Sequence, residues 1–500
     1  MTTYPPPPPA QPLKAPSTTP DAPPPPTTGY DSAAPRALLD FMMRRWRPAS
    51  GKLPPAIRFH AAFAARRRAL SRLFPGETLV VPTGEEKVRS NDTFYRFRPG
   101  SDFYYLTGNT EADCVLVLQP QAGGGHRDIL FVEPNPGRSD ATFFTDRMKG
   151  ELWVGPRLGV AQSQARYRVD EARGLPELKP LLDSLHGPAT RPWRVVRGLS
   201  RVVDGTLADQ GARDHELATA LAEMRLLKDA QEVRELSAAI ASTHRGFEDV
   251  IRSLKRAQTE RTVEGVFHLR AREEGNDVGY GTIAASGAHA CILHWVRNDG
   301  PLRKDDLLLL DAGVEGRSLY TADITRTLPV SGRFSREQRE IYELVHAAQA
   351  AGFEGVRPGN DFLEPNRRAM KVLADGLERL GILEDAAQAL ADEHQFYKRY
   401  SLHNVSHMLG LDVHDCAQAR MEAYKFGKLK AGMVLTVEPG LYFQEDDLTV
   451  PARYRGIGVR IEDDVLVTAT GMRNLSRAIP SEARAVEAWM ARLWKSRAVR

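Results

Sequence analysis

The chain has 500 residues, 42% hydrophobic and 26% charged, with 68 basic against 64 acidic side chains. That length calls for two or three domains, and the near-balanced charge, with no basic run longer than a few residues, argues against a nucleic-acid partner. No apolar stretch approaches the ~18 residues of a membrane span.

Residues 1–35 are dominated by proline, with PPPPP at 5–9 and PPPP at 23–26. This composition predicts a polyproline-II-like mobile segment, and residues 1–56 are set apart as a proline-rich disordered tail and linker. The amino terminus lacks the basic start and apolar core of a secretory signal. Three widely separated cysteines, Cys114, Cys291 and Cys416, form no CxxC pair. Neither a disulfide framework nor a thiolate metal site is indicated, and a reducing, cytoplasmic setting is expected. Cys416 reads as a small buried filler.

From Ile57 the texture changes. HAAFAARRRALSRLF predicts an amphipathic helix, its Arg66 to Arg68 run on a solvated face, and ETLVVPTG predicts a short strand ending in a turn. DFYYLTG, ADCVLVLQP and RDILFVEPN alternate β-branched or aromatic runs with turn residues and predict strands. Together they give a mixed α/β domain over 57–208. Near Arg213 the pattern becomes helical, and Val233, Leu236, Ile240, Phe247 and Ile251 recur at the spacing of one buried stripe. After Gly279 strands and tight turns follow, with helices at about 335–352 and 363–380, and a last helix over 481–495 with Ser481 as its N-cap. A second domain therefore occupies 213–500.

This second domain places carboxylates where a soluble protein normally avoids them. DDLLLLDAG is an apolar run of buried-strand character ending on Asp311. YTADITRT surrounds Asp323 with small and β-branched residues. MVLTVEPGLYF closes a strand on Glu438, and IGVRIEDDVLV carries Glu462 inside an alternating strand. One such acid is ordinarily a cap or a surface residue. Four together, each costing several kcal/mol when buried as an isolated ion, call for compensation, which two divalent cations would supply.

The stretch HNVSHMLGLDVHD, His403 to Asp415, adds three of the chain's thirteen histidines. His403 and His407 are spaced i,i+4, which on a helix would share one face. The segment carries no glutamate, which a two-histidine zinc helix would need. Arg460 lies two residues before Glu462, on the same side of an extended strand, where it would pair with a site carboxylate and orient it.

Asp311, Asp323, His407, Glu438 and Glu462, in this order and these contexts, resemble the five ligands of the pita-bread metallopeptidases, and the finer resemblance is to the aminopeptidase P family. HNVSHMLGLDVHD resembles that family's histidine segment, and VEPGLYF with YRGIGVRIEDDVLVT its C-terminal signature. RPGSDFYYLTGNTEADCVLVL and GELWVGPRLG resemble segments of its N-terminal domain, so the likeness spans roughly 57–480. Asn404 departs from it, standing where the family usually has glycine.

The resemblance implies an α/β (α+β) fold, a pita-bread catalytic domain preceded by a smaller mixed α/β domain. It implies a dinuclear site in which Asp323 and Glu462 bridge two divalent ions, Asp311 chelates one, and His407 and Glu438 complete the other. An oxygen-rich set with one imidazole suits Mn2+, with Zn2+, Co2+ and Fe2+ as alternatives. Glu438 is the expected general base for a metal-bridging hydroxide. His294, His403 and His414 are expected to contact substrate and transition state, with Tyr442 in the same network. The expected substrates are peptides with a free N-terminus and proline second. Trp153, in ELWVG, is expected to reach a neighbouring subunit's active site in a homo-oligomer, dimer or tetramer. The closest rival is a prolidase, restricted to Xaa-Pro dipeptides. A non-catalytic peptide-binding protein on the same fold would require replaced ligands, and none is replaced.

Overall fold

The computed structural model describes residues 34–47, 52–91, 93–187 and 192–495; the two polyproline runs lie outside them. Inside the span set apart as tail and linker, Arg36–Met42 is a helix. RALLDFM is rich in good helix formers, and Trp46, just beyond it, packs its ring 6.3 Å from Phe144. The linker therefore carries structure that its proline-rich neighbourhood concealed.

The amino-terminal half is built on a five-stranded sheet ordered Glu171–Gly174, His126–Val132, Val115–Pro120, Thr78–Pro82, Trp193–Val195. The three central strands are antiparallel and the two edges pair in parallel. Side chains alternate between two cores, as the two-residue period of a strand dictates. Leu79, Val81, Leu116, Leu118, Leu130 and Val132 face one hydrophobic cluster, and Val80, Val117, Ile129 and Phe131 the other.

Two expectations fail in this half. DFYYLTG is not a strand: Ser101–Thr107 is a helix closed by Gly108 at φ 68°, the left-handed stop that glycine adopts without strain. Its aromatic residues carry strand propensity, but Phe103 to Thr107 are all buried, and packing overrides propensity at such a site. The Arg66 to Arg68 run is only partly a solvated face: Arg68 is exposed as expected, but Arg66 and Arg67, on the helix His60–Leu73, are buried. Arg67 pairs with Asp128 and donates to the carbonyls of Leu106 and Arg168, while Arg66 pairs with Asp229 and Glu232.

The carboxy-terminal half begins with the long helix Ala230–Leu254, which buries Val233, Leu236, Ile240, Phe247 and Ile251 as the spacing predicts. Helices Arg336–Gly355 and Glu364–Arg379 lie close to their expected places. The last helix is Ala483–Lys495. Ser481 does not cap it: Glu482 accepts from the backbone N–H groups of Arg484 and Ala485, at 3.1 and 2.9 Å.

Short antiparallel sheets position the site. Leu307–Ala312 sits between Ile324–Pro329 and Ile283–Ser286, while Val434–Val437 pairs with Asp463–Val467 and Gly440–Tyr442 with Gly458–Arg460. Glu462 is not within a strand but in the break between Gly458–Arg460 and Asp463–Val467. The whole 458–465 stretch is buried rather than alternating, because this segment has protein on both sides. No described helix is long and apolar enough to cross a membrane.

Candidate active site

Asp311 is delivered by the strand Leu307–Ala312, and Asp323 immediately precedes Ile324–Pro329, its antiparallel neighbour. Glu438 follows Val434–Val437 directly. Glu462 is fixed by its backbone N–H to the Thr325 carbonyl at 3.1 Å, and its carboxylate accepts from the Thr325 hydroxyl at 2.7 Å. These four carboxylates converge on one cavity of about 640 Å³.

The histidine segment reaches the same cavity without forming a helix. It runs beside Val434–Val437: Leu409 donates to the Val434 carbonyl, Thr436 to that of His407, and Glu438 to that of Val405. His407 Nε2 lies 3.2 Å from Asp323 and 3.5 Å from Glu438. His403 Nε2 is 2.7 Å from the Tyr442 hydroxyl, and its Nδ1 is 3.4 Å from Glu438. His414 packs edge-on against His407 with ring centroids 4.3 Å apart. His294 and His414 are exposed, whereas His403 and His407 are half-buried.

Arg460 is buried and donates to Asp311 at 2.5 Å, to the Tyr442 hydroxyl at 2.9 Å and to the Thr325 hydroxyl at 3.2 Å. A continuous path therefore links Asp311, Arg460, Tyr442 and His403. Sequence reasoning missed Tyr280, whose hydroxyl donates to Asp311 at 2.7 Å. A tyrosine between two glycines carried no signal of its own. The apolar lining, Ile283, Leu293, Val296 and Val413, was missed for the same reason. Trp153 does not line this cavity. It is half-exposed beside Leu152 and Val154, its indole N–H donating to the Phe144 carbonyl at 2.7 Å.

The protonation states follow from crowding. Burial, with the neighbouring charge of Asp323, raises Asp311 above the usual carboxylate range although Arg460 opposes it. Burial and three neighbouring carboxylates push Glu462 well up. Burial raises Glu438 to about 7 against the pull of His407 and Arg460. Burial would lower His407, but its hydrogen bond to Asp323 and the charge of Glu438 outweigh that and raise it to about 9. His403 falls to about 4 through burial and the Arg460 charge.

Four carboxylates facing one guanidinium and one imidazole leave an excess of negative charge, which protons offset here and a divalent cation would offset better. Asp323, His407 and Glu462 each offer a ligand atom within 4.8 Å of the others. Two carboxylates and an imidazole suit a borderline or hard divalent ion, so the donor set fits a metal.

The sequence model of Metallopeptidase family M24 matches residues 234–469, and that of the aminopeptidase P N-terminal domain matches residues 63–192. The chain is 52% identical over 437 residues to Xaa-Pro aminopeptidase 1 of Streptomyces coelicolor, covering 87% of each chain. It is 34% identical over 448 residues to Xaa-Pro aminopeptidase of Escherichia coli, covering 86% of this chain and 97% of that one. The fold superposes on Pseudomonas aeruginosa aminopeptidase PepP with a TM-score of 0.77 at 33% identity, over 88% of this chain and 100% of the other. The figures for E. coli aminopeptidase P with the inhibitor Pro-Leu are 0.78, 32%, 88% and 100%. With both halves matched in order and over most of its length, the chain belongs to metallopeptidase family M24, among the Xaa-Pro aminopeptidases.

Proposed function

We propose that this hydrolase releases the N-terminal residue from peptides with proline at position two. The observation that carries the reading is the convergence of buried Asp311, Asp323 and Glu462 with half-buried His407 and Glu438 in one apolar-walled cavity. Asp323 and Glu462 would bridge two divalent ions, Asp311 would hold one, and His407 with Glu438 the other; Mn2+ is the favoured metal, with Zn2+, Co2+ or Fe2+ as alternatives. When bound, such ions lower the pKa of a coordinated water and polarise the scissile carbonyl.

The chain's own groups do the rest. Glu438, which lies 3.5 Å from His407 and 3.4 Å from His403 at the centre of the cluster, is the general base. His403, held neutral by burial and Arg460, is fixed at Nε2 by the Tyr442 hydroxyl and at Nδ1 by the Asn404 carbonyl, which sets its ring at the cavity wall to contact substrate. His294 and His414 contact substrate from the exposed part of the lining. Arg460 fixes Asp311 and Tyr442 together, and Tyr442 orients His403. The tertiary amide before proline has no N–H, so an apolar wall of Ile283, Leu293, Val296 and Val413 leaves no acceptor unmatched. Trp153 in its exposed apolar setting would complete the site of a second copy, making the enzyme a homo-oligomer. Residues 57–208 and 213–500 are the two domains of each copy.

The test is mass-spectrometric product analysis with Mn2+-loaded protein and three substrates: an Xaa-Pro dipeptide, an Xaa-Pro pentapeptide, and the pentapeptide with alanine second. Release of the first residue from the proline pentapeptide but not from the alanine one is expected. Cleavage of the dipeptide alone would make the enzyme a prolidase, and no cleavage with metal bound would leave a peptide-binding protein.

A further inference from the structure

A second cluster of buried charge lies behind the histidine segment and takes no part in the chemistry above. Asp415 is almost wholly buried next to His414, and its two carboxylate oxygens are each engaged. Oδ1 accepts from Arg225 Nε at 3.0 Å and from the Cys416 N–H at 2.9 Å; Oδ2 accepts from Lys228 Nζ at 3.1 Å. Lys228 and Arg225 are buried as well. Arg225 continues to Asp102, on the helix Ser101–Thr107 of the amino-terminal domain.

The loop between Met408 and Cys416 is closed on this carboxylate. Asp415 N–H donates to the Met408 carbonyl at 2.9 Å, Gly410 N–H to that of Asp412 at 3.1 Å, and Thr321 N–H to that of Gly410 at 3.0 Å. Gly410 passes so close to Asp415 that a Cβ there would overlap the carboxylate. The loop's side chains divide by direction. Leu409 and Leu411 join the hydrophobic cluster of the amino-terminal domain, and Val413 and His414 line the catalytic cavity. That domain grips the same loop twice more, through Arg98 Nη2 to the Leu411 carbonyl and Ser101 Oγ to Asp412, both at 2.6 Å.

We propose that Asp415, clamped by Arg225 and Lys228, is a positioning residue for His414, and that Asp102, Ser101 and Arg98 complete the clamp, so that the amino-terminal domain sets where His414 meets the substrate. The inference rests on the reading of His414 as a substrate contact. Ionic packing of this kind is no more stabilising than an apolar core of the same volume; what it adds is direction, since a carboxylate held on both oxygens fixes the backbone that carries the next side chain. Misplacing a substrate contact by an ångström lowers turnover with the metal site intact.

A double-mutant cycle on the Mn2+-loaded full chain tests the coupling, read as kcat/KM for the proline pentapeptide together with metal content. Asp102→Asn alone is expected to lower kcat/KM about tenfold at unchanged metal content. In a His414→Ala background the same substitution is expected to change it by less than about twofold, because its route of action is gone. Equal losses in both backgrounds, or no loss in the first, overturn the proposal. Arg98→Lys is carried through the same cycle and decides by the same criteria if Asp102→Asn lowers the folded yield. A His414→Ala enzyme as active as the unaltered one removes His414 from the site, and the coupling with it; that result is distinct from equal losses, which leave His414 in place.

Discussion

The cavity cluster and the Asp415 clamp both border the Met408–Cys416 loop and both bury carboxylates, yet their charges are balanced differently. In the cavity four carboxylates face Arg460 and His407; in the clamp Asp415 and Asp102 face Arg225 and Lys228. Burial raises Asp311 and Glu462, and their carboxylate neighbours add to it. Burial would raise Asp415 as well, but Lys228 and Arg225 outweigh it and hold that carboxyl below its usual range. Burial alone therefore does not mark a ligand site. What marks it is burial without compensation.

The largest expected effect breaks the cavity side. Glu438→Ala removes the proposed base and should cost about a thousandfold in kcat, while circular dichroism and the urea midpoint show a folded protein; near-normal turnover would remove Glu438 from that role. The clamp answers in stability instead. Asp415→Ala leaves two buried cations facing each other and should cost about 3–5 kcal/mol in urea unfolding. Glu462→Gln has the opposite sign in metal-free protein, raising the urea midpoint at neutral pH, because burial no longer requires that side chain to take up a proton. If both substitutions destabilise the metal-free protein equally, the contrast between the clusters fails.

The two clusters were not equally legible in the sequence. Asp311, Asp323, Glu438 and Glu462 stood out because each interrupts an apolar context that one residue's neighbours suffice to define. The clamp did not, because Arg225 and Asp415 are 190 residues apart and nothing local announces their pairing. The same blindness put Arg66 and Arg67 on a solvated face, when Asp128, Asp229 and Glu232 bury and neutralise them. Tyr280 escaped for want of context, and Ser101–Thr107 was misread because aromatic residues serve a buried helix as well as a strand. Motif order conveyed the chemistry; partners distant in sequence supply the support.

Metal addition sharpens the comparison at a smaller scale. Mn2+ at a hundredfold excess over its dissociation constant should stabilise the protein by about 2.7 kcal/mol, seen as a rise in the thermal midpoint. His407, raised to about 9, must lose its proton to become a ligand, so binding near neutral pH should release protons. Calorimetry in buffers of different ionisation enthalpy measures that release. Asp323→Asn should abolish both the stabilisation and the proton release, and Asp102→Asn should leave both intact.

The smallest expected effect is the pH dependence of the metal-free protein, and its sign separates the clusters. Glu438 has a folded pKa of about 7 against an ordinary 4.5. Its contribution is fully present below the ordinary value and is lost as pH rises through the folded one. His407, at about 9 against an ordinary 6.5, contributes below 6.5 and loses that contribution as pH rises toward 9. Asp415 runs the other way: its folded pKa lies below 3.8, so its contribution is present above that value and lost only in acid. His403, at about 4 against an ordinary 6.5, opposes Glu438 and His407 below 6.5. Those two, joined by the raised Asp311 and Glu462, outweigh it. Across the neutral range the clamp is therefore silent, and the cavity makes metal-free stability fall as pH rises. Urea midpoints of chelator-treated protein at about pH 5 and about pH 8 should show that fall. Mn2+ should reverse it, since the ion binds the deprotonated groups that high pH supplies. A midpoint that rises with pH in the metal-free protein would mean that the cavity acids are already compensated, and would place them with the clamp.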